Sequence, residues 1–151
     1  MLPVPDWSLL QPRYSSCYSL EASKGCRYAC AFCSDRGLGR QRMRSAASIV
    51  REIREIRDRF GATLFRFVDS TLTSWSEHTV EFCRALARER LGIEWSCYAR
   101  ADNFSRHPGL APAMCEAGAR WIFCGIESGS DAILRGMNKG YDRKEALKGC
   151  L

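Results

Sequence analysis

The sequence predicts an α/β domain in which four strands of a parallel sheet alternate with helices. Three observations carry this prediction. Segments with the two-residue period of strands alternate with segments that have the 3.6-residue period of helices. The last predicted strand, residues 120–126, is almost continuously apolar, as expected of a parallel sheet covered on both faces. Polar and charged residues follow each strand directly, where parallel sheets place their functional sites.

The spacing of apolar residues defines the individual elements. Residues 45–60 give the clearest helix, because apolar side chains recur there at intervals of four, three and four. Ser45 or Ser48 can cap its start, and Gly61 ends it. Residues 93–99 alternate, which predicts a strand with one polar face. In chain order, the predicted strands and helices occupy residues 17–23, 45–60, 62–69, 74–90, 93–99, 108–117, 120–126, 130–135 and 142–151.

The second long helix has its own start and stop signals. Ser74 and Glu77 have the spacing of a capping box, and Gly92 is expected to end the helix. Ahead of the first strand, residues 1–15 contain three prolines and no periodicity, which is typical of a linker or lead-in. We expect the remainder, residues 16–151, to belong to one domain with a hydrophobic core.

Nine cysteines are many for 151 residues. A disulfide-stapled secreted domain is the first alternative, but the count is odd and the start of the chain lacks a basic segment followed by an apolar run. A reducing, cytoplasmic setting is therefore expected. No stretch approaches the roughly 20 apolar residues of a membrane span. Four cysteines lie in patterned segments, where they are expected to behave as small hydrophobic residues: Cys83, Cys97, Cys115 and Cys124.

The net charge of +6 is concentrated in one region, which includes four arginines in a nine-residue stretch. A basic surface of this kind can meet nucleic acid. No aromatic residues are interleaved with these arginines, and no nucleic-acid-binding motif accompanies them. A solvated loop and helix face is the preferred interpretation, and nucleic acid is not expected as a partner. The arginines are Arg36, Arg40, Arg42 and Arg44.

The loop after the first strand places Cys26, Cys30 and Cys33 at spacings of four and three. A short loop with this spacing can point three thiolates at one face of an inorganic cluster. Iron–sulfur clusters usually take four cysteines, so three indicate a cluster with one open iron. Structural zinc is the main alternative, but it takes four ligands, usually in two close pairs. The nearest spare cysteine, Cys17, lies nine residues upstream on a strand.

This loop resembles the Cys-x3-Cys-x-aromatic-Cys signature of the radical S-adenosylmethionine (SAM) superfamily. The resemblance implies that Cys26, Cys30 and Cys33 hold a 4Fe–4S cluster whose open iron chelates SAM. It also implies reductive cleavage of SAM to a 5′-deoxyadenosyl radical, with a flavodoxin- or ferredoxin-like protein as electron donor. Phe32 would contact the adenine edge of SAM.

Residues 67–73 are similar to the Phe-x-Asp-Asp-x-Phe-Thr stretch of radical SAM proteins that carry a cobalamin-binding domain. Two positions depart from that pattern, because Ser70 replaces the second acid and Leu72 replaces the aromatic residue. The resemblance implies that Asp69 accepts hydrogen bonds from the SAM ammonium or faces the substrate. The alternative is that Asp69 only holds the turn at the end of its strand.

Residues 95–102 end in Arg-x-Asp, as the third strand does in this family. The fork of Arg100 suits a carboxylate, and the carboxylate of SAM is the implied partner. The alternative is a surface ion pair of Arg100 with Asp102 or Glu127.

Residues 125–131, together with the Met-Asn-Lys-Gly run at 137–140, resemble the family's fourth-strand region. There Glu127 would accept hydrogen bonds from the ribose hydroxyls or the amine of SAM, and Ser128 would support it. The alternative is that Glu127 is a buried acid capping the next helix.

Four segments thus match one family in order, over roughly residues 16–151. The resemblance implies an enzyme with a partial radical SAM (β/α)6 barrel, of which about the first four βα units are present, and a chain truncated at its carboxyl end. Cobalamin use would need a domain outside these residues, and the substrate cannot be read. Two alternatives remain: a methylthiotransferase acting on tRNA or protein, indicated by Asp35-Arg36-Gly37, and an inactive metal-binding fragment.

Overall fold

A computed structural model describes residues 5–9, 16–37 and 40–151 of the protein. Its centre is a parallel sheet of four strands in the order β1 (Tyr18–Leu20), β4 (Leu64–Phe67), β5 (Glu94–Ala99) and β6 (Ala119–Cys124). The parallel α/β architecture predicted from the alternating periodicities is confirmed. The elements are β1 (Tyr18–Leu20), β2 (Ser23–Lys24), β3 (Arg42–Met43), α1 (Ala46–Phe60), β4 (Leu64–Phe67), α2 (Ser76–Glu89), β5 (Glu94–Ala99), α3 (Ala101–Arg106), α4 (Leu110–Glu116), β6 (Ala119–Cys124), α5 (Asp131–Gly136) and α6 (Arg143–Cys150).

The first long helix, α1, forms where its apolar spacing predicts it. Ile49, Ile53 and Ile56 are fully buried against the sheet. The Ser45 hydroxyl accepts a hydrogen bond from the amide of Ser48, which satisfies one of the free donors at the helix start. Gly61 ends the helix in the left-handed conformation, with φ of 67°.

The main core lies between the sheet and the helices α1, α2 and α4. Aromatic rings form its centre: the ring of Phe67 meets those of Phe82 and Trp95 edge-on, at centroid distances of 5.4 and 5.3 Å. The indole nitrogen of Trp95 donates to the carbonyl of Ala117 at 2.8 Å, so this buried donor is satisfied. A second, smaller cluster joins α3, α5 and α6 around Leu134.

The opposite face of the sheet is not covered by the described residues. Strand β6 was expected to be buried on both faces, and this expectation is wrong for the part of the chain that the structure describes. Trp121 and Phe123 are 49% and 52% exposed. The physical reason is that β6 is the edge strand of the described sheet and no helix packs on the face that these two side chains share with Tyr98. An apolar run indicates burial only where partners exist on both sides.

One local prediction is corrected, and two local elements were not predicted. Helix α2 begins at Ser76 without a side-chain cap, so the capping box of Ser74 and Glu77 does not form; Ser74 instead donates to Gln41 at 2.7 Å. A short helix, α3, directly follows β5, where sequence periodicity gave no signal. The antiparallel pair of β2 and β3 was also not predicted, because two-residue strands have no readable period.

The predicted lead-in, residues 1–15, lies largely outside the described residues. In its described part, the Trp7 ring meets the ring of Tyr18 edge-on at 5.2 Å. Within the described ranges, no helix is both long and apolar enough to cross a membrane.

Candidate functional site

A cavity of about 210 Å³ lies at the carboxyl ends of the sheet strands. Its wall includes the cysteine loop that follows β2, the end of β5 and the turn that follows β6. Three cysteines and two cationic side chains share this wall: Cys26, Cys30, Cys33, Arg100 and Lys139. The parallel topology explains why these side chains lie close together, since strands that run in the same direction bring the loops that follow them to one edge of the sheet.

All three loop cysteines have free thiols. Burial raises the pKa of the Cys26 thiol, and the neighbouring sulfurs of Cys30 and Cys33 raise it further, because each thiolate repels the next. Three thiols this close together are a donor set for soft metal ions such as iron. Metal binding would deprotonate them and replace their mutual repulsion with bonds to a cation.

The described residues contain no group of three His, Cys, Asp or Glu side chains that could hold a single metal ion. Around one tetrahedral zinc with Zn–S bonds of 2.3 Å, sulfurs would lie only about 3.8 Å apart. The three thiols line one cavity, and within the described residues their arrangement is not that of a closed single-ion site.

Two side chains of the cysteine loop contact segments that follow β4 and β5 in the chain. Arg27 donates to the carbonyl of Ser74 at 3.1 Å, and its guanidinium lies 4.4 Å from the centre of the Trp75 ring. Tyr28 donates to the side-chain oxygen of Asn103 at 3.0 Å. The shape of the loop thus depends on contacts made far away in the sequence.

Arg100 is buried beside the loop and is held from several directions. Its Nε and Nη2 donate to the two carboxylate oxygens of Asp102, at 2.9 and 3.3 Å. Its guanidinium stacks on the rings of Tyr28 and Tyr141, with distances of 3.8 and 4.8 Å to the ring centroids. The remaining nitrogen, Nη1, faces the Cys30 sulfur at 3.7 Å. The ion pair with Asp102, considered from the sequence as a surface pair, forms in the interior, since Asp102 is 0% exposed.

Glu127 and Lys139 face each other across the cavity wall. The Lys139 ammonium is buried and donates to the carbonyl of Gly125 at 2.8 Å, and it lies 3.7 Å from Glu127 Oε1. Glu127 has φ of 71°, which is costly for a residue with a side chain. A Cβ placed on Gly125 would lie 2.5 Å from Glu127 Oε1, so glycine leaves room for the carboxylate.

A sequence model described as the Radical SAM superfamily matches residues 20–151. The chain belongs to the radical SAM superfamily. The match includes all three loop cysteines, the last residue of β1 and the other three strands of the parallel sheet, so the site described above lies within the radical SAM domain.

Two curated proteins illustrate the relatives of this radical SAM chain. It is 27% identical over 153 residues to an uncharacterized methyltransferase of Pyrococcus horikoshii, covering 97% of this chain and 33% of that protein. It is 27% identical over 144 residues to an anaerobic magnesium-protoporphyrin IX monomethyl ester cyclase of Rubrivivax gelatinosus, covering 90% of this chain and 26% of the cyclase. The chain therefore spans about a third or less of these relatives.

One solved structure with the same fold is the radical SAM methyltransferase TsrM from Kitasatospora setae, which has cobalamin and a [4Fe–4S] cluster bound. The TM-score is 0.72 at 20% identity, covering 88% of this chain and 28% of that one. At this identity the likeness shows the fold alone, and it agrees with the partial radical SAM barrel predicted from the sequence.

The cavity brings together most of the residues predicted from the sequence. The three cysteines, Phe32, Arg100 and Glu127 all line the cavity. Phe32 is half-exposed there, with the Lys139 ammonium 5.6 Å from the centre of its ring. Their roles towards SAM stay predictions.

Asp69 and Ser128 do not line this cavity. Asp69 is buried, and its two oxygens accept hydrogen bonds from the amide of Ala22 and the hydroxyl of Ser23, at 2.9 and 2.6 Å. These contacts connect Asp69 to the segment that follows β1 rather than to the turn at the end of its own strand. Burial raises the pKa of the Asp69 carboxyl, with these hydrogen bonds acting against the increase. The Ser128 hydroxyl accepts from the amide of Ser130 at 3.1 Å, within its own turn.

Sequence reasoning did not single out several residues that shape this radical SAM site. Lys139 lies in the Met-Asn-Lys-Gly run at 137–140, and sequence reasoning gave it no role, although a lysine beside two glycine-rich turns is a usable signal. Tyr28 lies between two of the cysteines and could have been recognised as an aromatic platform for a cation. Asp35 lines the cavity and accepts a hydrogen bond from Ser70 at 2.6 Å; nothing in the sequence indicates that contact.

Proposed function

We propose that this chain is the SAM-cleaving core of a radical SAM enzyme, with Cys26, Cys30 and Cys33 as ligands of a 4Fe–4S cluster. One observation carries the proposal: three free thiols from a single loop share a cavity with two buried cations, Arg100 and Lys139. A cluster with thiolate ligands carries negative charge, which these cations would balance. The fit of the donor set to iron supports the same conclusion.

The chemistry that the cluster supplies when bound is the one-electron reductive cleavage of SAM to methionine and a 5′-deoxyadenosyl radical. The residues of the chain bind and orient the reactants. Arg100, held by Asp102, would attract a carboxylate beside Cys30 through its positive charge. Glu127 would accept hydrogen bonds from an amine or from ribose hydroxyls. Phe32 offers an apolar surface to an adenine ring. Asp69 is assigned no contact with a ligand, because both its carboxylate oxygens accept hydrogen bonds from residues 22 and 23.

For the whole protein we propose methyl transfer with cobalamin, supplied by a domain outside these 151 residues. The similarity to a methyltransferase and the shared fold with a cobalamin-containing methyltransferase support it. The similarity to a cyclase means that the cleavage step is the better supported part, because one SAM-cleaving core serves different final reactions. A flavodoxin- or ferredoxin-like electron donor and a cytoplasmic location belong to the same proposal.

The test is anaerobic reconstitution with iron and sulfide, followed by dithionite and SAM. The wild-type chain is expected to bind about four irons and to form 5′-deoxyadenosine and methionine. Cys30→Ser should lose both properties. Cys115→Ser is the matched control, because Cys115 is an exposed free cysteine on α4, away from the cavity. Equal iron content and equal product in Cys30→Ser and wild type would overturn the proposal.

A further inference from the structure

The turn that follows α5 contacts the cysteine loop on both sides of Cys30. The amide of Ala31 donates to the carbonyl of Met137 at 2.9 Å. The side-chain amide of Asn138 donates to the carbonyl of Ala29 at 2.8 Å. These bonds join residues that lie more than 100 positions apart in the chain, so they are not part of the loop's local structure.

This turn has a defined shape of its own. The amide of Lys139 donates to the carbonyl of Leu134 at 3.1 Å, and the amide of Asn138 donates to that of Arg135 at 2.9 Å. Together with the φ of 53° at Asn138, this pattern is a Schellman motif closing the end of α5. Leu134 is completely buried, which anchors the motif to the core. The turn therefore presents its groups to the loop from a fixed position.

Asn138 occupies the left-handed position of this Schellman motif. Glycine is the usual choice there, because a side chain adds strain. Asparagine is one of the few alternatives that tolerate this conformation. Asn138 lacks the conformational freedom of glycine, but its side-chain amide donates to the carbonyl of Ala29. The C-cap alone does not require that amide.

Lys139 extends the same turn into the cavity wall. Its backbone carbonyl accepts a hydrogen bond from Arg100, and its ammonium donates to the carbonyl of Gly125. Arg100 in turn faces the sulfur of Cys30. Three consecutive residues thus connect the cysteine loop with the ends of β5 and β6.

We propose that the segment Met137–Lys139 is a positioning element for the cluster-binding loop, and that Asn138 is its central positioning residue. It fixes the backbone on either side of Cys30, so that the middle thiol is held where a cluster needs it. The inference rests on the proposed function, because the cluster is what the loop would hold. The segment Met137–Lys139 itself is not expected to contact substrate.

The experiment compares the full chain with three variants. Asn138→Asp keeps the shape and the tolerance of left-handed backbone but replaces the donating NH2 with an oxygen. Asn138→Gly keeps the backbone conformation and removes the side chain. Arg90→Gly is the matched control, because Arg90 is also a left-handed non-glycine residue at a helix end, with φ of 49°, but directly follows α2.

Two measurements are made. The first is the rate at which the reconstituted cluster is lost to an iron chelator, followed by its visible absorbance. One exposed hydrogen bond predicts a roughly two- to fivefold faster loss in both Asn138 variants. The second is amide hydrogen exchange in the protein without a cluster, where residues 29–33 should exchange faster in Asn138→Asp. Arg90→Gly should match wild type in both measurements.

The outcomes separate this inference from the proposed function. A wild-type chain that binds no cluster would contradict the proposed function, while the exchange data would still test the positioning role. Normal cluster binding, with loss rates and exchange over residues 29–33 unchanged in both Asn138 variants, would overturn the positioning role alone.

Discussion

Asp102 is expected to be the most sensitive charged residue in the protein. Its side chain is fully buried, and it pairs with Arg100, whose side chain is only 6% exposed, and with Arg106 at 3.0 Å. Replacing Asp102 with Asn removes the negative charge and leaves Arg100 as a buried, uncompensated cation. Breaking a buried ion pair in this way costs about 3–5 kcal/mol. Because Asn keeps the volume and one acceptor oxygen, we expect a loss near 3 kcal/mol in the free energy of unfolding.

The assay is equilibrium urea denaturation, followed by far-ultraviolet circular dichroism and tryptophan fluorescence. Glu145→Gln is the matched control, because Glu145 contacts Arg106 in a more exposed pair at 2.5 Å. Exposed pairs contribute about 0–1 kcal/mol. The reasoning would be refuted if Asp102→Asn cost less than about 1 kcal/mol, or if the two substitutions cost the same.

Three further predictions concern packing, pH dependence and the cluster. Gly149→Ala should destabilise the protein by about 2 kcal/mol or more, since the added Cβ would lie 1.8 Å from a backbone oxygen of α3. The Cβ of Gly136→Ala would meet nothing within 4 Å, so this control should not destabilise the protein, and the midpoints of urea denaturation test both variants. Burial raises the pKa of the Asp69 carboxyl, so the folded protein favours its protonated form. Wild type should therefore lose stability relative to Asp69→Asn as pH rises from the ordinary value of 3.8 through the raised pKa. Urea denaturation at several pH values measures this difference, and a stability difference that changes with pH in the opposite direction would contradict the prediction. Arg100→Gln removes the cation beside Cys30, which favours the reduced form of a bound cluster. The reduction potential of the cluster should therefore become more negative, and an unchanged potential in a redox titration would contradict this prediction.

The sequence was sufficient for features that depend on local periodicity. The spacing of apolar residues in α1 and the alternation in β5 each describe one face of one element, and both faces are buried as predicted. The cysteine loop was equally readable, because its three cysteines lie within eight residues. The meeting of the strand-end residues followed from parallel topology alone.

Features that depend on distant partners were not readable in the same way. An acid after a strand has the same appearance whether it faces a ligand or holds a neighbouring segment, and only the contacts of Asp69 with residues 22 and 23 distinguish the two. The Arg100–Asp102 pair was anticipated, but its burial depends on Tyr28 and Tyr141, which come from opposite ends of the domain. The exposure of β6 depends on its place in the sheet rather than on its composition.

The central claim is that the three loop cysteines hold a cluster with one iron open to SAM. The most direct test is electron paramagnetic resonance of the anaerobically reconstituted, dithionite-reduced protein, recorded with and without SAM. A variant with Cys26, Cys30 and Cys33 all replaced by Ala is the control. The account predicts a reduced 4Fe–4S signal that shifts on addition of SAM and is missing from the variant. A signal indifferent to SAM, or zinc in place of iron in the loop, would contradict it.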